Sequence, residues 1–307
     1  MINFHADYDE ATCRELVEIT DAVYRVKVEN AAKKIAALGK LKYLFLSGPT
    51  CSGKTTTAKI LTKEFAKHNR SVKLISIDDF YFNRDDLARM SNDKNKIDYD
   101  SIKTIDLECF KKAFDDIKQN KTVLLPHFNF ETGVRDFYTE YTPRDNEIIL
   151  CEGIQAVYPE ITSLFSKRDY KSIFVNVSND VKIGKLIFTG REMRLCRRIV
   201  RDSKFRAASP YETMRLWDSV VENEEKSILP YSDCDVKIDT TLVYQFGVLR
   251  PYLAALMESY PPLGNGKDKP YSDLLEKHRY ITPIPADAVP IDSMFREFIG
   301  SDGLLDN

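Results

Sequence analysis

Histidine is scarce in this 307-residue chain: there are four, and no two are spaced as a metal-binding pair. A histidine-based metal site is therefore not expected. Six cysteines (Cys13, Cys51, Cys109, Cys151, Cys196 and Cys234) are scattered without a C-x-x-C pair. That excludes a zinc ribbon or a disulfide framework and fits reduced thiols in a cytoplasmic protein. No apolar run approaches the roughly 18 residues that span a bilayer, and the N-terminus, MINFHADYDEATC, has no basic region followed by an apolar one. Net charge is missing too. Lys and Arg number 45 against 47 Asp and Glu, a balance of −2, so nothing global marks a nucleic-acid or membrane partner. Repeats and low-complexity linkers are absent. What is present is an ordinary globular composition, 43% hydrophobic and 30% charged, in a chain long enough to bury a large core.

Leu16, Ile19, Val23, Val26, Ala31, Ile35 and Leu38 recur at helical spacing, predicting an amphipathic helix over 12–38 that Gly39 ends. From there strands alternate with helices. Strands are expected at 41–47, 72–77, 122–125, 147–151, 172–177 and 235–239, and helices at 54–67, 105–119, 181–204 and 210–228. Such an order predicts an α/β fold, a central parallel sheet flanked by helices. Prolines and glycines crowd 259–273 and mark the softest boundary. The expected organisation is an N-terminal helical segment (1–40), a main domain (41–258) and a C-terminal helical extension (259–307).

Gly48-Pro49-Thr50-Cys51-Ser52-Gly53-Lys54-Thr55 satisfies G-x-x-x-x-G-K-[ST], set between an apolar strand and a helix. Glycines let the backbone curl until its N–H groups converge on phosphate oxygens, at the positive end of the helix that follows. Gly48, Cys51, Ser52, Gly53, Lys54, Thr55 and Thr56 are thus expected to hold the polyphosphate of a nucleotide. Lys54 reaches the terminal phosphates and the Thr55 hydroxyl serves Mg²⁺.

Two further strands deliver an acid at their C-terminal ends, where parallel sheets bind ligands. Leu74-Ile75-Ser76-Ile77 runs into Asp78-Asp79, and Ile148-Ile149-Leu150-Cys151 runs into Glu152. A carboxylate beside the cradle can take a proton from an attacking hydroxyl or orient the metal; a polar turn or a helix cap is the bland reading of Asp78-Asp79. Asn95-Lys96-Ile97-Asp98 matches the guanine-reading N-K-x-D, but no apolar strand precedes it, and it is read as coincidence. From Lys182 to Arg206, nine basic residues face two acids. Arg194, Arg197, Arg198 and Arg201 fall at helical spacing, so several can share a face; a solvated helix face is the bland reading, and a lid whose arginines neutralise a transferring phosphoryl group is the expected one.

The P-loop, then SIDDFY, IDYDSIKTIDL, LPHFNFETGVR, CEGI, CRRIVRD and ILPYSDCDVKI, in that order over about 41–240, resemble the uridine kinase and phosphoribulokinase family. Within it, the chain resembles the longer bacterial uridine kinase-like nucleoside kinases in particular. The resemblance implies an ATP- and Mg²⁺-dependent kinase acting on a small-molecule hydroxyl, foremost the 5′-hydroxyl of a nucleoside, and a homo-oligomer. It makes Asp78 the catalytic base, Lys54 and Arg201 catalytic partners, and Glu152 the metal-associated acid with Thr55. Tyr81, Asp100, Phe128 and Arg198 are assigned to the acceptor, and Arg206 to the nucleotide. Two pyrimidine-reading positions depart from the animal-type pattern: Gly133 stands for a histidine and Ala208 for an arginine. His127 lies near enough to substitute, or to be structural. A kinase of another polyol or sugar phosphate, and a nucleotide-binding regulator without chemistry, are the alternatives.

Overall fold

The computed structural model describes residues 1–4, 9–38, 41–90, 100–263 and 269–300. Gly39 and the Asn95–Asp98 motif lie outside the described residues. In chain order the elements are β1 (Ile2–Phe4), α1 (Glu10–Ala36), β2 (Tyr43–Ser47), α2 (Lys54–Lys67), β3 (Ser71–Ser76), α3 (Arg84–Met90) and α4 (Leu107–Lys118). Next come β4 (Val123–Asn129), β5 (Val134–Tyr141), β6 (Glu147–Glu152), α5 (Pro159–Thr162), β7 (Tyr170–Asn176), β8 (Val181–Ile183) and β9 (Leu186–Phe188). The last are α6 (Gly190–Phe205), α7 (Pro210–Asn223), β10 (Val236–Asp239), α8 (Gln245–Ser259), α9 (Lys269–Arg279) and α10 (Arg296–Ile299).

Five strands pair in parallel in the order β10-β7-β2-β6-β3. β2 and β6 are near-continuous apolar runs, as strands covered on both faces must be. Two apolar layers sandwich the sheet. One gathers α1, α2, α6, α8, α9 and the last described segment, including Tyr271, Leu274, Ile284, Phe295 and Phe298. The other gathers α4 and the β4–β5 pair, with Phe114 and Phe165 meeting Tyr43 and Phe45 of β2 and Phe110 stacked on Phe114. The chain beyond the proline-rich stretch therefore shares one core with the sheet.

Three expectations need correction. The strand foreseen at 122–125 forms as β4 but stands outside the parallel sheet, pairing antiparallel with β5. The connection is a short turn containing Gly133 at φ +74°, and so tight a turn can only join antiparallel neighbours. The helix foreseen over 181–204 begins at Gly190, because 181–188 form the β8–β9 hairpin around Gly184. Thr189 and Glu192 close a capping box there, a T-x-x-E signal readable in the sequence. Helix α1 exists, but its inner face is rotated from the one expected: Ile19, Val23, Val26 and Leu38 are exposed, while Cys13, Val17, Tyr24, Val28, Ala32 and Ile35 are buried. The buried face carries polar groups that an apolar count overlooks. Tyr24 shares a hydrogen bond with Thr57 of α2 (2.7 Å), and Asp21 accepts one from Tyr244 (2.7 Å).

His278 of α9 is 2% exposed, with Phe188 against its ring edge. Its Nδ1 lies 2.7 Å from the Leu274 carbonyl and its Nε2 4.0 Å from the Cys196 thiol. Burial pushes its pKa down to about 4; the Leu274 contact and Glu192 oppose this, while Lys277 and Arg250 add to it. The unfolded chain, titrating near 6.5, binds the proton first as pH falls, so stability is full above about 6.5 and drains away down to about 4. Denaturant melts should lose about 3 kcal/mol across that window, and His278→Phe should flatten the loss. Equal pH slopes in the two proteins would refute this.

Candidate active site

The loop between β2 and α2 is shaped by contacts that admit little else. A Cβ on Gly48 would lie 2.0 Å from the Val175 carbonyl of β7, so the loop can cross that strand only at a glycine. Gly53, at φ +89°, begins α2 from the left-handed region. On the loop's outer side three successive carbonyls are held by buried donors. Arg194 Nη1 donates to Thr50 (3.3 Å), Arg197 Nη1 to Cys51 (3.3 Å) and Thr240 Oγ1 to Ser52 (2.7 Å). A trans peptide sets N–H opposite C=O. Holding the carbonyls of Thr50 and Ser52 outward therefore turns the amides of Cys51 and Gly53 inward, toward the cavity both residues line. The Ser52 amide closes the turn onto Pro49 (3.2 Å), and Lys54 Nζ donates to the same carbonyl (3.2 Å).

Sheet register brings the acids to this loop. β6 lies between β2 and β3, with Leu46 and Ser76 both opposite Glu152. Glu152 is 7% exposed. Burial pushes its pKa up to about 8, against the pull of Lys54 and a hydrogen bond from the Thr55 hydroxyl, with Asp78 adding to the rise. Asp78 opens the 3-10 turn after β3. Its pKa is also raised, desolvation outweighing Lys54, Arg206 and a hydrogen bond with Tyr81. Its neighbour Asp79 does a different job: its carboxylate accepts the Phe128 N–H (3.1 Å) and faces His127 (3.7 Å), fastening the β4–β5 hairpin to the sheet. His127 is engaged with Asp79 and Thr139 (2.8 Å) and does not line the cavity. The structural reading of that histidine fits its contacts.

A cavity of about 340 Å³ joins these groups. Cys51, Gly53, Lys54, Thr55 and Glu152 line it together with Asp78, Tyr81, Asp100 and Phe128, and with Arg198, Arg201 and Arg206; Asp78 is close enough to Lys54 and Glu152 for their charges to interact. Gly48 is pressed against β7, and Ser52 is buried beneath the loop. Thr56 is met by Glu297. Sequence reasoning passed over five lining residues: Thr50, Arg84, Phe130, Ile154 and Glu297. Arg84 carried no signal in the sequence, because what ties it to the site is its proximity to Gly133. Its guanidinium lies where a side chain at 133 would stand (2.7 Å from a Cβ there), and its Nη2 donates to Phe130 (2.9 Å).

The basic run divides. Arg198, Arg201 and Arg206 converge on one buried carboxylate, Asp202, at 3.2, 2.6 and 3.7 Å. That hub presents three guanidinium groups to the cavity without a long entropic search by each. Arg194 and Arg197 turn the other way, under the loop. Arg194 pairs with Glu224 (2.5 Å), which sits on a π-helical turn, Glu224–Ile228, continuing α7. These two are supports of the cradle, so that of the four arginines at helical spacing Arg198 and Arg201 reach the cavity and Arg194 and Arg197 do not.

Mg²⁺ favours oxygen ligands, keeps several waters and needs only one or two protein groups beside substrate phosphates. The Thr55 hydroxyl on the Glu152 carboxylate, beside Lys54, fits that demand. The cradle likewise accepts an anion, since the Glu297 carboxylate already takes the Thr56 amide and hydroxyl.

Residues 44–243 match the phosphoribulokinase / uridine kinase family. A uridine kinase of Ureaplasma parvum is 28% identical over 178 residues, 58% of this chain and 77% of that one. Uridine-cytidine kinase 2-B of Danio rerio is 31% identical over 165 residues, 51% and 56% of the two chains. Among solved structures, one described as a possible uridine kinase from Bacillus stearothermophilus is similar at 17% identity and a TM-score of 0.49, over 70% of this chain and 98% of that one. With the cradle, the two strand-end acids and the arginine hub in one cavity, this chain belongs to the phosphoribulokinase / uridine kinase family and is an ATP-dependent kinase.

Proposed function

We propose that the chain transfers the γ-phosphoryl group of ATP to a hydroxyl of a small molecule, with the 5′-hydroxyl of a nucleoside as the acceptor. The observation that carries this reading is that Asp78 lines one cavity with Lys54 and Glu152, whose charges it feels, and with the aromatic side chains of Tyr81, Phe128 and Phe130. Those rings meet edge to face at 5.2–6.4 Å and offer aromatic, apolar surface to a base. The names of the relatives supply the nucleoside.

Asp78 accepts the proton of the acceptor hydroxyl as its oxygen bonds to the phosphorus and the bond to the β-phosphate oxygen breaks, releasing ADP. Lys54 and the inward amides hold the polyphosphate in line. Arg198, Arg201 and Arg206 offset charge developing on the moving group. Thr55 and Glu152 would hold Mg²⁺, which when bound would draw charge from the phosphates. Asp100, which lines the same cavity, offers an acceptor for sugar hydroxyls.

A second reading has one observation in its favour. Arg84 adds a cation to the cavity beside Gly133, which suits an anionic acceptor such as a sugar phosphate. ADP release measured over a panel of nucleosides, pentose phosphates and other polyols decides between them. Turnover with a nucleoside at least tenfold above every other acceptor is the expected result. Selective turnover of a phosphorylated sugar would replace the nucleoside reading, and no turnover with any acceptor while ATP binds would leave a regulator.

A further inference from the structure

The last described segment reaches back into the cradle. Met294, Phe295, Phe298 and Ile299 are all buried in the core that underlies β2 and α2. Met294 is packed so closely that a Cβ on Gly53 would meet its sulfur at 2.6 Å, and the Arg197 guanidinium lies over the Phe298 ring, 5.0 Å from its centre. Between these anchors, α10 points Glu297 into the nucleotide cavity. Its Oε2 accepts from the Thr56 hydroxyl (2.8 Å) and, more loosely, from the Thr56 amide (3.4 Å). Thr56 stands in the first turn of α2, where the helix dipole and unpaired amides favour negative charge.

A polyphosphate running along 51–56 needs those same donors. One hydroxyl and one amide cannot serve a carboxylate and a phosphate together, and two anions crowded there repel. We infer that Glu297 is an affinity-setting residue of the nucleotide site: its carboxylate stands in for a phosphate on Thr56 in the free enzyme, and nucleotide binding displaces it. The inference rests on the nucleotide site proposed above. Apparent affinity is then reduced by the fraction of molecules in which the carboxylate is docked. The contact also links the C-terminal segment to catalysis, since binding must loosen α10 from the loop.

The test is ADP titration of the full chain by calorimetry, comparing wild type, Glu297→Gln and Lys54→Ala. Glu297→Gln keeps the shape but removes the charge, and should bind ADP about tenfold more tightly, the scale of one charge-assisted contact. Hydrogen exchange at 294–299 should quicken in wild type at saturating ADP. Unchanged or weaker ADP binding by Glu297→Gln, with Lys54→Ala defective, would overturn the role of Glu297 and leave the nucleotide site intact. Lys54→Ala binding as well as wild type would instead remove the nucleotide site and this inference with it. Quicker exchange supports displacement; unchanged or slower exchange with ADP counts against it.

Discussion

Asp78→Asn is expected to lower turnover by at least about a thousandfold while leaving ATP affinity within a few-fold. The asparagine fills the same space but cannot take a proton, and a positioned base accounts for about 10²–10⁴ of a rate. Positioning by the cradle survives, because its donors come from the loop amides and Lys54. Desolvation raises the Asp78 pKa against Lys54 and Arg206, which makes it a stronger base than an exposed aspartate once ionised. Asp79→Asn is the internal control. Its carboxylate serves the hairpin through Phe128, so its loss should weaken acceptor binding more than turnover. Steady-state kinetics with calorimetric ATP binding separates the two. A turnover for Asp78→Asn within tenfold of wild type would remove the base assignment.

Local order was legible wherever one physical signal dominated. Parallel strands announce themselves as apolar runs, and the G-x-x-x-x-G-K-T stretch states its own backbone geometry, so β2, β6, β7 and the cradle were placed from sequence to within a few residues. The acids at the ends of β3 and β6 followed from the same rule. Pairing and direction were harder. β4 has strand-like composition, yet its partner is fixed by a turn at Gly133 whose length, more than its residues, forbids a parallel neighbour. The inner face of α1 was misjudged because Asp21 and Tyr24 are buried through hydrogen bonds to residues 223 and 33 positions away. Periodicity cannot register such partners. Glu297 is the extreme case: an acid in a C-terminal segment, 241 residues beyond Thr56, carries no local sign that it belongs to the cradle. In the basic run, charge count was visible but direction was not. Asp202, counted as a mere offset, turned out to gather Arg198, Arg201 and Arg206.

Arg197 shows what that lost direction means energetically. Its guanidinium is fully buried, and its described hydrogen bonds go to neutral oxygens: Gln245 Oε1 (2.7 Å), the Thr240 carbonyl (2.8 Å) and the Cys51 carbonyl (3.3 Å). Burial pushes its pKa down to about 10, with Arg194 adding to the fall and Cys51, Tyr244 and Glu297 opposing it. A buried cation costs several kcal/mol unless its donors are well used, and here they fix the sheet end, α8 and the cradle relative to one another. Arg197→Met keeps the bulk against Phe295 and Phe298 but frees the Cys51 carbonyl. ADP affinity should fall about a hundredfold, the scale of losing one or two hydrogen bonds from a charged group, while Arg197→Lys, which can still reach one carbonyl, recovers part of it. A merely structural role would lower the melting temperature of both variants without ADP and leave the ADP-induced rise in melting temperature intact. If Arg197→Met melts lower yet still gains as much from ADP as wild type, the arginine supports the core and not the cradle.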